Sequence, residues 1–182
     1  MGVGQLMSNV VQNQIAYYRA RAQEYDEWFY RQGHYDRGEE LNHQWRQETQ
    51  IVRDQLLEFP KVSHVVEMAG GTGIWTQELV KISDNTTVLD ASPEMIEINR
   101  AKVQSDKVTY QQADLFQWEP EQQVDMVFFG FWLSHVPQEK LSPFLQMIHR
   151  VLKPNGRLFF IDSQRVQTGT SKRQKVQTTN DD

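Results

Sequence analysis

The chain has 182 residues, of which 38% are hydrophobic, and it carries a formal net charge of -5 with a pI near 5.5. This length predicts one domain with a hydrophobic core, and the acidic balance argues against nucleic acid and favours a small molecule as the main partner. The sequence has no cysteine, no signal-peptide pattern and no apolar stretch of membrane-spanning length, so we expect a cytoplasmic protein without a membrane partner.

Residues 1–60 are predicted to form helices that precede the main fold. Apolar residues recur at helical spacing before and after a break at Gly33. The first set is Ile15, Ala22, Tyr25 and Phe29, and the second is Leu41, Trp45, Val52 and Leu56. The first helix is also rich in aromatic residues, among them Tyr17 and Trp28, and its aromatic stripe is expected to pack on the sheet.

Residues 61–162 alternate short β-branched or aromatic runs with helical patterns, which predicts a mostly parallel sheet with helices on both faces. The predicted strands are Val62–Glu67, Thr86–Leu89, Val108–Gln111, Val124–Phe129 and Arg157–Ile161. Ser92-Pro93 and Ser142-Pro143 each predict a helix that starts with a serine N-cap and a first-turn proline. The Lys-Pro-Asn-Gly stretch at 153–156 predicts a turn into the last strand. Residues 163–182 are almost wholly polar and are expected to form a flexible tail.

The most informative stretch is a strand that enters a glycine-rich turn, residues 70–73, and opens a helix. Glycine lets the backbone approach a ligand and a helix N-terminus offers unpaired N–H groups, so a nucleotide-like ligand is predicted; a tight turn that binds nothing is the alternative. The dinucleotide fingerprint fails because Thr76 stands in the place of its third glycine. Glu67 at the strand end would repel a pyrophosphate but suits a ligand with an ammonium group, as S-adenosylmethionine has.

Acidic residues also end the next two predicted strands. Asp90, 23 residues after Glu67, can accept hydrogen bonds from ribose hydroxyls, or it is a charge at a helix N-terminus. Asp114 can accept from an adenine amino group while Leu115 covers the ring, or it is a turn residue. Ligands of open α/β sheets lie outside the carboxyl ends of the strands, so three acids at such ends favour a common site.

The order and spacing of these motifs over residues 63–162, together with the later run FFGFWLSHVP at 128–137, resemble class I S-adenosylmethionine-dependent methyltransferases of the small-molecule type. The resemblance implies a Rossmann-like three-layer sandwich with S-adenosylmethionine as cofactor. It implies roles for the residues of each motif: Glu67, Ala69, Gly71 and Gly73 toward the methionine part, Asp90 toward the ribose, and Asp114 and Leu115 toward the adenine. Ala69 departs from the pattern, because many members have a second glycine there.

Methyl transfer is an in-line displacement, so such a protein has to align a nucleophile and exclude water. The aromatic run at 128–132, with Phe129 as the candidate residue, either lines the methyl group or is a buried strand end. His135 is either a general base or, as is common in the family, a residue that holds the strand-to-helix loop. The other histidines show no metal-ligand spacing, so no metal is expected. The N-terminal helices are expected to cover the site, as in small-molecule members of the family.

We therefore expect a methyltransferase that acts on a small-molecule acceptor. A binding-only remnant of such an enzyme and a nicotinamide-dependent oxidoreductase are the alternatives. The family pattern continues past the fifth strand with a helix and two more strands, so the chain is expected to be truncated at its C-terminus. The last strand would then be an open apolar edge, from which we expect self-association and weak or absent catalysis.

Overall fold

The computed structural model describes residues 24–163, which form a parallel sheet of five strands between two layers of helices. The strands are β1 Val62–Met68, β2 Ser83–Asp90, β3 Val108–Gln112, β4 Val124–Gly130 and β5 Leu152–Ile161. The α-helices are α1 Tyr25–Tyr30, α2 Glu39–Leu57, α3 Thr76–Ile82, α4 Pro93–Val103 and α5 Gln138–Val151, with short 3-10 helices at Gly33–Tyr35 and Leu133–His135. The five predicted strands and the Rossmann-like α/β sandwich are thus confirmed.

The strand order β3-β2-β1-β4-β5 places β1 at the centre of the sheet. From β1 the chain continues to β2 and β3 on one side of the centre, and it then crosses to β4 and β5 on the other side. The carboxyl ends of β1 and β4 therefore border the crevice at which an open α/β sheet binds ligands. This topology fixes where the glycine turn after β1 lies.

Side-chain alternation along β1 and β4 divides the core between the two faces of the sheet. On one face, Met68 and Phe129 pack with residues of α5 such as Phe144. On the other face, Val65 and Phe128 pack with α2 and α3. Both central strands are buried on both faces, which explains why their sequences read as nearly continuous apolar runs.

The N-terminal helices cover the second face. Phe29 of α1 is 2% exposed and Leu56 of α2 is fully buried, and the indole N–H of Trp45 donates to the carbonyl of Phe29 at 2.7 Å. Leu41, which shares the predicted helical spacing, is 39% exposed, whereas the adjacent Asn42 is buried. Asn42 lies on the inner face because it shares the seven-residue spacing of Thr49 and Leu56, the other buried residues of α2, and its side-chain amide donates to Asp36 at 2.7 Å.

One of the two predicted serine caps is correct. The Ser92 hydroxyl accepts from the backbone N–H of Met95 at 3.2 Å, with Pro93 in the first turn of α4. The prediction at Ser142-Pro143 is wrong, because α5 begins at Gln138 and contains Pro143. Pro143 is the sixth residue of α5, where a proline removes one backbone hydrogen bond and crowds the carbonyl of Glu139, and packing of Phe144 and Met147 in the core holds the helix against this cost.

The predicted turn at residues 153–156 lies inside β5 as an irregularity. Val124 pairs with Leu152 and Met126 pairs with Arg157, so three extra residues of β5 lie between these two pairs. Asn155 adopts a left-handed conformation with φ 65° at this point. Asn tolerates this region better than most residues, which is why a turn sequence can sit within a strand.

The predictions for Ile15, Tyr17, Ala22 and residues 164–182 lie outside the described residues. Within residues 24–163, no helix combines the length and the apolar character needed to cross a bilayer.

Candidate functional site

A cavity opens at the carboxyl ends of β1, β2 and β4. Its empty volume is about 760 Å³, which includes space open to solvent. The wall is formed by the turn after β1, the start of α4, the loop after β3 and the loop after β4. The lining residues are Tyr25, Ala69, Gly71, Asp90, Ala91, Ser92, Met95, Asp114, Leu115, Phe116, Gly130, Phe131, Trp132 and His135.

The glycine turn has a left-handed backbone at three positions. Ala69, Gly71 and Gly73 have φ values of 54°, 52° and 88°. Glycine adopts this region without strain, but for an L-residue such as Ala69 it costs about 1–2 kcal/mol. Position 73 requires glycine for a second reason as well, because a Cβ there would lie 2.7 Å from the side-chain oxygen of Asn99.

Asp90 joins the glycine turn to the start of α4. One carboxylate oxygen accepts from the backbone N–H of Gly71 at 2.8 Å, and the other accepts from the backbone N–H of Ser92 at 2.9 Å. Burial raises the pKa of Asp90, and these backbone hydrogen bonds oppose the increase. Each oxygen keeps a second lone pair, so the carboxylate still has acceptor capacity for a ligand.

Asp114 makes turn contacts and also lies on the cavity wall. Its carboxylate accepts from the backbone N–H of Phe116 at 2.9 Å and from the side chain of Gln117 at 2.7 Å. Beside it on the wall is Leu115, which is 6% exposed. Leu115 and Phe116 thus add an apolar surface next to a carboxylate, which is suitable for a planar ring with an amino group.

Glu67 is 1% exposed and lies behind the turn rather than on the cavity wall. The Thr76 hydroxyl donates to it at 2.5 Å. Burial raises the pKa of Glu67 to about 8; the hydrogen bond from Thr76 opposes this increase and the nearby Asp90 adds to it. The carboxyl group is therefore largely protonated at neutral pH, and it supports the turn from inside.

The loop after β4 supplies the aromatic part of the wall. Phe131 has a left-handed backbone with φ 56°, and its ring contacts Trp28 with centroids 5.3 Å apart. The indole nitrogen of Trp132 is buried without a hydrogen-bond partner in the part of the chain that the structure describes. Phe129 is fully buried in the core against Phe144 and does not line the cavity.

His135 lies on the cavity wall at the end of the short helix after β4. Burial lowers the pKa of its imidazole, and the Asp162 carboxylate opposes that decrease. The neighbouring Ser134 donates to Asp162 from its backbone N–H at 2.6 Å and from its hydroxyl at 3.0 Å, which attaches this loop to the end of β5. His135 thus has an imidazole with a lowered pKa, on a loop that Asp162 attaches to the end of β5.

Helix α1 is fastened across the glycine turn. The Asp26 carboxylate accepts from the Thr72 hydroxyl at 2.5 Å and from the Lys102 ammonium at 2.6 Å. Tyr25, one residue earlier, lines the cavity. Residues of three distant segments therefore meet beside the glycine turn.

Of the predicted site residues, the structure brings six to one cavity, namely Ala69, Gly71, Asp90, Asp114, Leu115 and His135. Glu67, Gly73 and Phe129 lie behind its wall. Sequence reasoning missed Met95 and Phe116 on the wall and Asn99 behind it. Phe116 directly follows the motif at 114–115 and Met95 lies in the first turn after Ser92, so proximity to these motifs was the available signal.

The fold and cavity define a Rossmann-like domain with a small-molecule site at its switch point. Residues 65–156, half of the chain, match the family described as "Methyltransferase domain". The structure resembles DhpI in complex with SAH, with a TM-score of 0.72, 32% sequence identity, and coverage of 89% of this chain and 77% of DhpI. The chain belongs to the class I S-adenosylmethionine-dependent methyltransferases.

Two further proteins indicate the breadth of the resemblance. Demethylmenaquinone methyltransferase of Listeria welshimeri is 31% identical over 137 residues, which cover 68% of this chain and 52% of that enzyme. The chain thus spans about half the length of the curated relatives it matches. The structure also resembles the N-methyltransferase NodS of Bradyrhizobium japonicum in complex with S-adenosylhomocysteine, with a TM-score of 0.58 and 19% identity. The match covers 68% of this chain and 63% of NodS, and it shows a similar fold alone.

Proposed function

We propose that the protein transfers the methyl group of S-adenosylmethionine to a small-molecule acceptor by direct in-line displacement. The observation that carries this proposal is the convergence of the left-handed glycine turn, Asp90 and Asp114 on one cavity. DhpI has been solved with SAM and HEP, and the Listeria relatives are demethylmenaquinone methyltransferases; both support a small-molecule acceptor.

The residues of the cavity fit such a cofactor chemically. Asp90 provides acceptors for ribose hydroxyls, and Asp114 provides one for the adenine amino group, with Leu115 against the ring. The left-handed turn at Gly71 lets the methionine part approach the backbone. When bound, S-adenosylmethionine supplies a methyl group activated on a sulfonium.

The chain's own contribution to the reaction is alignment and exclusion of water. Tyr25, Phe131 and Trp132 form an aromatic wall near the loop after β4, which can attract a cationic centre and keep it dry. His135 is the candidate that takes a proton from a hydroxyl or amine acceptor, because a neutral imidazole can accept it. The alternative, that His135 only holds the loop, would leave the acceptor to lose its proton to water. A cytoplasmic location remains a prediction.

Calorimetric titration with S-adenosylhomocysteine tests the cofactor assignment. We expect the wild-type chain to bind it, and Asp90→Ala to weaken binding by roughly 1–3 kcal/mol, because ligand hydroxyls lose a charged acceptor. Asp106→Ala, an exposed carboxylate outside the cavity, is the matched control. Equal affinity of a folded Asp90→Ala variant and wild type would remove Asp90 from the site.

Two further measurements separate the alternatives. A parallel titration with NADH distinguishes an oxidoreductase, because NADH binding without S-adenosylhomocysteine binding would overturn the proposal. Incubation with labelled donor and a metabolite mixture then tests turnover. Donor binding without transfer to any acceptor would instead support a binding-only remnant.

A further inference from the structure

Asn99 is a fully buried polar residue of α4 at the centre of a hydrogen-bond network. Its side-chain nitrogen donates to the Thr76 hydroxyl at 2.8 Å and lies 3.3 Å from the carbonyl oxygens of both Gly70 and Gly71. Its side-chain oxygen accepts from the Tyr110 hydroxyl at 2.9 Å. An amide nitrogen has two hydrogens, so the two carbonyls share one of them while Thr76 takes the other.

The network holds one peptide of the glycine turn from both sides. The peptide that joins Gly70 to Gly71 presents its carbonyl to Asn99 and its N–H to Asp90. The plane of this peptide is therefore held by two side chains, one on the concealed side and one on the cavity wall, together with the backbone N–H of Gly73, which donates to the same Gly70 carbonyl at 3.2 Å. Rotation of the peptide would break these hydrogen bonds, and it would also displace the carboxylate that we assign to the ribose.

The environment of Asn99 requires an amide in one orientation. The Tyr110 hydroxyl donates to the side-chain oxygen, and burial raises the pKa of Tyr110 to about 12, so the donor stays protonated. This fixes the nitrogen toward the turn. A Cβ at Gly73 would approach the Asn99 oxygen to 2.7 Å, so α4 and the turn are also in direct steric contact.

We propose that Asn99 is a positioning residue for the cofactor, acting through the Gly70–Gly71 peptide rather than by contact with the ligand. It links the turn assigned to the methionine part with α4, the helix that follows the ribose carboxylate of Asp90 at the end of β2. The inference rests on the proposed function, since the ligand positioned is S-adenosylmethionine. Its loss therefore weakens cofactor binding beyond any loss of folding stability.

The test is the nearly isosteric substitution Asn99→Asp, followed by titration with S-adenosylhomocysteine across pH. A carboxylate at this position cannot donate, and it faces two carbonyls and lies close to Glu67, which shares the bond to Thr76. Burial and the facing carbonyls raise the pKa of the substituted carboxyl group, so we expect affinity at least about 10-fold weaker than wild type at the high end of the pH range, where this group is ionised. At low pH the substituted carboxyl group becomes protonated and regains one donor, so the deficit should shrink to about 3-fold or less.

Several controls make this pH dependence specific. The titratable and charged groups that face the network are Glu67, Asp90, Tyr110 and Arg100, and all of them are retained in both wild type and variant. Asn85→Asp makes the same chemical change at an exposed position and should follow the wild-type profile. If Asn99→Asp does not fold, Tyr110→Phe removes the hydroxyl that orients the amide and should weaken binding by about 3-fold.

The outcomes are distinguishable. Wild-type binding, with Asn99→Asp within about 2-fold of it at every pH, would overturn the positioning role and leave the proposed function intact. A pH-independent loss that parallels a loss of folding stability would also overturn it, because a purely structural role predicts that result. Absence of wild-type binding would overturn the proposed function and this inference with it.

Discussion

Two carboxyl groups lie beside the glycine turn, Glu67 fully buried and Asp90 partly buried, and burial raises the pKa of both. They differ in what surrounds them. Asp90 accepts two backbone hydrogen bonds and reaches the cavity, whereas Glu67 accepts from Thr76 and does not. Glu67, which the resemblance assigns to the methionine part, is therefore enclosed by the fold.

The burial of Glu67 predicts that the free energy of unfolding of the chain depends on pH. Its pKa is about 8 in the folded chain against an ordinary value of 4.5, so between these values the folded state holds a proton that the unfolded state has lost. The free energy of unfolding should therefore fall as pH rises through this interval, by at most about 1.4 kcal/mol for each pH unit. Glu67→Gln should flatten this dependence, because glutamine can still accept from Thr76 but does not titrate.

Urea unfolding from about pH 5 to about pH 9 measures the effect as a difference between two chains. Glu97→Gln is the control, because its side chain on α4 is 73% exposed. Parallel curves for Glu67→Gln and wild type would contradict the prediction and indicate that Glu67 is ionised in the folded chain over the whole range.

At the scale of elements, the sequence was sufficient wherever one pattern dominates. Central strands such as β1 and β4 were predicted within a residue because their apolar runs are uninterrupted. Pro143 was misplaced because proline favours the first turn of a helix, whereas here the packing of α5 on the core outweighs the cost of an interior proline. Helix α5 shows that the second case applies.

The parts of the site that could not be predicted depend on contacts between distant segments. In the sequence, nothing distinguishes Asn99 from the other polar residues of its helix. Its hydrogen bonds to Gly70 and Gly71 form only when α4 packs against the turn. Asp26 lies 76 residues from Lys102 along the chain. No local spacing connects them, whereas Asp90 and Asp114 are found from the ends of their strands.

The attachment of α1 to the glycine turn predicts slower release of the cofactor product. Asp26→Ala removes the bonds to Thr72 and Lys102, and these bonds are partly exposed, so we expect a modest effect. Dissociation of S-adenosylhomocysteine should become about 5-fold faster. Stopped-flow tryptophan fluorescence can follow it, because Trp132 lines the cavity.

Asp84→Ala is the control for this experiment, since Asp84 forms an ion pair with Lys61 at the amino end of β2, away from the cavity. It removes a carboxylate of the same kind without touching α1. An unchanged dissociation rate in Asp26→Ala would mean that α1 does not limit escape from the site.

At the scale of the whole molecule, the described sheet has two different edges. β3 ends in Gln111 and Gln112, which are exposed and polar. β5 carries Leu158 and Phe160, 37% and 50% exposed, although Phe160 also stacks on Phe129 of β4. Edges of natural sheets are usually covered or charged because an open apolar strand pairs with other chains.

The asymmetry predicts that this chain self-associates through β5. Two copies that pair along this edge would form hydrogen bonds with backbone groups of β5 that no described strand pairs, and would bury Leu158 and Phe160 together, whereas the polar edge at β3 offers no comparable apolar area. In sedimentation velocity, the sedimentation coefficient should rise with protein concentration. Phe160→Lys should abolish this increase, because a lysine on an edge strand would have to lose its hydration when the edge is buried. Thr109→Lys, an exposed position on β3, places the same charge on the other edge and should leave the association intact. A wild-type chain that sediments as a monomer at all concentrations would show that the β5 edge does not drive association.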